Sequence, residues 1–108
     1  MEGYGTAYSE AYEHENFNLN KTDEHGNILL HIAAQNGNIR IGKLLLQKGS
    51  NPNHQNKVGQ TPGHFAVAYH FYDFASWLFD VEDGAGANDE LFNTHGLGPY
   101  DGLTQEDI

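Results

Sequence analysis

The chain has 108 residues, no cysteine and a formal net charge of −10, which bounds it to one small domain with a thin core and no disulfide to staple it. All five basic residues, Lys21, Arg40, Lys43, Lys48 and Lys57, fall between 21 and 57, while 58–108 carries nine acids and no base; phosphate recognition needs clustered Lys and Arg, so nucleic acid is not an expected partner, whereas a basic protein surface is. The opening MEGYGTAYSE lacks the basic and apolar regions of a signal peptide, and no apolar run nears the roughly 18 residues of a membrane span, so the expectation is a soluble, cytoplasmic chain, the nucleus also open, with no membrane partner.

In chain order, DEHG at 23–26 reads as a turn, and the following ILLHIAAQN puts Leu30, Ala33 and Ala34 on one helical face. Gly37 stops that helix. A second helix in IRIGKLLLQK places Ile41, Leu44 and Leu45 on one side, and Gly49 ends it as a left-handed residue would. The polar SNPNHQNKVG has turn chemistry and leads into Gly59. Thr61 can cap the next helix, with Pro62 at its first position, where no amide hydrogen is needed. FYDFASWLF supplies a fourth helix, with Phe71, Phe74, Ala75 and Leu78 as apolar contacts. The expected helices are 29–36, 39–48, 62–69 and 71–79, with little strand.

These elements recur. Gly26 and Gly59, His31 and His64, Ala33 and Ala66 are each 33 positions apart, so turn, helix, turn, helix is a unit used at least twice. HGLGPYDGL begins a third copy with Gly96 and Pro99 in the same relation.

Glycine, then a T-P-L-H-x-A-A-like start, then glycine and a leucine-rich second helix resembles the ankyrin repeat pattern across residues 23–108. The resemblance implies an all-α, ankyrin-type helix-turn-helix solenoid with protruding turns, in one domain. Residues 1–22 would be a degenerate partial repeat, 23–55 the first repeat, 56–92 the second with a four-residue insertion in DVEDGA, and 93–108 a C-terminal partial repeat. Three departures stand out. Ile28 and Leu29 replace Thr-Pro, removing a cap. Gly63 stands where a leucine is usual, leaving a space for Phe65 or Phe71 to refill. His70 takes the place of Gly37, where a left-handed backbone would strain it.

The resemblance implies no catalysis and no cofactor, and contact with a partner protein through turn tips and the outward face of each first helix. Those positions are Glu24, His25, Asn27, Gln35 and Asn36; Lys57, Val58, Gln60, Ala68 and Tyr69; and Thr94, His95 and Leu97. Tyr69, Val58 and Leu97 are the expected anchors, being apolar where the repeat does not need them. The chain would be a monomer or part of a larger assembly. The alternative is a structural cap or subunit fragment of a larger array, with no independent ligand; an apolar end face at AYSEAYEH or GPYDGL would favour it.

Seven histidines invite a metal site, but no H-x-x-x-H or H-E-x-x-H occurs. His31 and His64, one above the other at helix starts, read instead as buried groups bonded to neighbouring turns. DVEDGAGANDE resembles a calcium loop only superficially, with Gly84 and Leu91 at ligand positions and Ala85 where the loop wants glycine. Nucleophile-elbow, P-loop and dinucleotide motifs are absent from the sequence.

Overall fold

The computed structural model describes residues 18–101. Four helices follow in order: α1, Leu29–Gln35; α2, Ile39–Gln47; α3, Pro62–Ala68; and α4, Tyr72–Phe79. The described residues contain no strand, and each helix lies within a residue of its expected span. The partial repeat at the N-terminus and the end of the last one, residues 1–17 and 102–108, lie outside the described residues.

Each helix begins and ends for a local reason. Thr61 Oγ1 accepts from His64 N–H at 3.3 Å, and Pro62 occupies the first turn of α3. Ile28 has no oxygen to offer, so α1 starts without a side-chain cap. Asn38 Oδ1 caps α2 by accepting from Ile41 N–H. That helix closes with Gly49 N–H donating to Leu46 O and Ser50 N–H to Leu45 O, the paired bonds that a left-handed residue makes possible, and Gly49 has φ 101°.

The two repeats pack chiefly through α1 and α3. Ala33, Ala34 and Ala66 are buried between them, and such small side chains let two helix backbones approach closely. Leu30, Leu45, Phe65, Phe74 and Leu78 fill the rest of one continuous core. Close first helices and more separated second helices curve such a stack toward the α1/α3 side.

The space above Gly63 is filled, but not by Phe65 or Phe71: a Cβ added at Gly63 would collide with the ring of Phe79. Phe79 comes from the end of α4 and is itself backed by Tyr100, ring centroids 5.7 Å apart. Phe71 is not a core residue either. It precedes α4, is 38% exposed, and lays its ring over the bare backbone of Gly37. His70 does adopt the left-handed backbone, φ 68°, matching Gly37 at 66°.

After α4 the chain takes a longer path. Ala87 N–H donates to Leu78 O at 2.8 Å, where the first repeat closes with Ser50 N–H on Leu45 O; nine residues span the second closure and five the first.

Candidate functional site

The protruding turns are built from one device used three times. An Asp or Asn three residues before the turn glycine accepts backbone N–H groups across the turn: Asp23 Oδ1 from His25 and Asn27, Asn56 Oδ1 from Val58 and Gln60, Asn93 Oδ1 from His95 and Leu97, all at 2.8–3.0 Å. This is the local bonding that favours Asn and Asp in turns.

Neighbouring turns are then tied together. Lys57 N–H donates to His25 O and Thr94 N–H to Val58 O, both at 3.0 Å. Beneath them the side-chain amides form a ladder: Asn56 Nδ2 donates to Asn27 Oδ1 at 2.8 Å, and Asn93 Nδ2 to Gln60 Oε1 at 3.0 Å. All four residues are buried, where such bonds must be made because unpaired amides are costly.

The two histidines join each helix start to the next repeat. His31 Nδ1 accepts from Ile28 N–H at 3.2 Å, which leaves the proton on Nε2, 2.8 Å from Gln60 O. His64 repeats this with Thr61 N–H and Leu97 O, at 3.1 and 2.9 Å. In the third copy Asp101 does the first half of the task, its Oδ2 accepting from Gly98 N–H at 2.7 Å. Burial lowers the pKa of His31 to about 4 and lowers that of His64 as well, despite the carbonyl each donates to. Both rings are therefore neutral struts. His54 adds a cross-tie that the sequence did not reveal, its Nε2 3.2 Å from Gly26 O.

The thirteen expected contact residues separate into three groups. Glu24, His25, Lys57, Val58, Thr94 and His95 form an exposed row of turn tips, and Asn36 is exposed at the end of α1. Gln35, Tyr69 and Leu97 are half-buried: Tyr69 packs against Phe65, and Leu97 lends its carbonyl to His64. Asn27, Gln60 and Ala68 are buried, Gln60 fully, so they do not belong to an outward-facing set. Asn27 and Gln60 are rungs of the amide ladder, and Ala68 ends α3 with its methyl inside. The ladder had a legible signal, an Asn or Asp at a constant offset from each turn glycine, which reading Asn27 and Gln60 as partner contacts passed over.

Among the described residues no three His, Asp or Glu side chains converge as metal ligands would. In the acidic loop, Asp80 Oδ1 accepts from Glu82 and Asp83 N–H, so that carboxylate folds its own turn. No helix among the described residues is long and apolar enough to cross a membrane.

Comparison with known proteins matches residues 6–90 to a family model described as ankyrin repeats in three copies. A fowlpox virus (strain NVSL) protein named as an ankyrin repeat protein, FPV014, is 38% identical over 61 residues, 56% of this chain and 14% of its own length. An intracellular phospholipase A2 of Caenorhabditis elegans is 39% identical over 56 residues, and a transient receptor potential cation channel subfamily A member 1 homolog from the same organism 35% over 65. These matches cover 47% and 60% of the chain, and only 5% of each nematode protein's length.

Proposed function

Because the chain belongs to the ankyrin repeat family, whose repeats are generally non-catalytic protein–protein interaction modules, we propose that it binds a partner protein through the row of turn tips and the adjoining end of each first helix. The observation that carries this reading is the contrast between the row and what lies beneath it. Each tip is locked by its own Asx bonds and by the next tip's backbone, while Glu24, His25, Lys57, Val58, Thr94 and His95 project into solvent. A rigid base has little backbone entropy left to lose on binding, so only the side chains are ordered, which favours an interface. Val58, 39% exposed, is the central apolar anchor of the tips, with half-buried Leu97 on the next turn and half-buried Tyr69 at the far end of α3. The partner carries a basic surface, since nine acids and no base lie in 58–108; such a complex associates faster at low salt and weakens as salt rises.

The test is affinity capture with the intact chain beside Val58→Asp and His25→Ala, with recovered proteins identified by mass spectrometry. Proteins held by the native chain and lost with Val58→Asp, at unchanged far-ultraviolet circular dichroism, support the strip. An identical set with all three proteins removes it.

A second reading, a cap or fragment of a longer array, is favoured by the end of the described chain. Phe92 and Tyr100 are 58% and 57% exposed there, Tyr100 resting on Phe79, and an apolar end face is what a further repeat would cover. Under that reading Tyr100→Ser, not Val58→Asp, abolishes the complex.

A further inference from the structure

The inter-helix turn of the second repeat differs from that of the first at four successive positions. Gly37, Asn38, Ile39 and Arg40 become His70, Phe71, Tyr72 and Asp73. Three of the four changes work against the fold locally; the fourth sets an acid in the first turn of α4, where the helix dipole favours it. His70 holds a left-handed backbone that glycine adopts freely, Phe71 supplies no cap where Asn38 bonds Ile41 N–H, and Tyr72 is 57% exposed. Strained backbone persists where its surroundings fix it, and it gathers at ligand clamps. The surroundings here are specific: Tyr72 Oη lies 2.9 Å from His70 Nδ1, the two rings meet edge to face at 5.9 Å, and Phe71 rests on Gly37. The result is a groove of about 190 Å³ between the two turns, walled by Gly37 and Ile39 on one side and His70, Phe71, Tyr72 and Asp73 on the other.

We propose that this groove receives an arginine side chain of a partner protein, its guanidinium laid on the aromatic wall and paired with the Asp73 carboxylate. The volume suits one side chain and falls below the range of small-molecule pockets. Exposed ring faces attract cations, and guanidinium both stacks on rings and forks onto a carboxylate, which ammonium cannot do. Among the described residues Asp73 is the only carboxylate lining the groove. Arg40, next to Ile39, makes no ion pair among the described residues, so Asp73 is not already claimed. The uniformly acidic second half draws a cation toward this edge. The inference rests on the protein-binding reading but uses a place away from the turn tips: the groove begins at His70, just past Tyr69, and α3 separates it from Val58 by about 10 Å of helix.

The test titrates the isotope-labelled full chain with a blocked Gly-Ser-Arg-Ser-Gly peptide, its citrulline twin and its lysine twin, followed by amide chemical shifts. With arginine, the shifts should fall on residues 37–39 and 70–74. Citrulline should give none, lysine should bind more weakly, and Asp73→Asn and Tyr72→Ala should each weaken the arginine response about threefold or more. Equal response to citrulline or lysine overturns the assignment, as do shifts centred on 80–90 that persist in Asp73→Asn. Val58→Asp leaves this titration unchanged, so the groove and the turn-tip strip fail independently.

Discussion

Acid should loosen the joint between the two repeats, and His31 sets how much. Its ring is fully buried, accepting from Ile28 N–H and donating to Gln60 O, an arrangement open only to neutral imidazole. Folding lowers its pKa from 6.5 to about 4. Above pH 6.5 neither folded nor unfolded chain binds the proton, and this contribution to stability is whole. As pH falls from 6.5 toward 4 the unfolded chain protonates first, and the linkage integral comes to about 3 kcal/mol by pH 4. His64 shifts in the same direction and adds to the loss. That is a large share of the roughly 5–15 kcal/mol that holds a domain together. With an m value of about 1.5 kcal/mol/M, the urea midpoint should fall by about 2 M between pH 7 and 4. Carboxylates titrate in the same range, so the measurement is the difference between the native chain and His31→Gln, whose profile should be flatter. Equal losses in both proteins would refute the reasoning, as would a His31 ring that titrates near 6.5 in the folded chain by nuclear magnetic resonance.

Gly63→Leu should destabilise by about 1 to 2 kcal/mol in a thermal melt, because the added side chain must displace the Phe79 ring; a gain would mean that Phe79 and Tyr100 swing aside at little cost. His70→Gly should stabilise by about 0.5 to 1 kcal/mol, left-handed strain relieved less the extra entropy of glycine in the unfolded chain. No change there would show the His70–Tyr72 bond offsetting the strain.

The helices were legible because two signals agreed: apolar residues at helical spacing, and glycines 33 apart that break each run. His31 and His64 were legible for the same reason, since a polar ring at the start of an apolar helix, repeated in register, has only neighbouring backbone to bond. Phe79 was not legible. It reaches Gly63 from 16 residues away, and a compensating pair of that kind leaves no periodic trace in a single sequence. Among the expected contact residues, the tips were found because turn glycines mark them, whereas Asn27, Gln60 and Ala68 were misassigned because a polar or small residue beside a turn looks the same whether it faces solvent or the next repeat. Only the inter-repeat bonds tell the two apart.

The longer closure after α4 separates distance along the chain from distance through the stack. Gly59 and Gly96 are 37 residues apart and Gly26 and Gly59 are 33, yet the same tip-to-tip bond, 3.0 Å in each case, joins both pairs of turns. The additional residues bulge outward from Asp80 to Gly86 and return to Leu78 O without disturbing the next step. Loop entropy grows only slowly with length, so this bulge is the place where a foreign segment or an affinity tag could be spliced in, and where a protease could cut, while the repeats on either side keep their grip on each other.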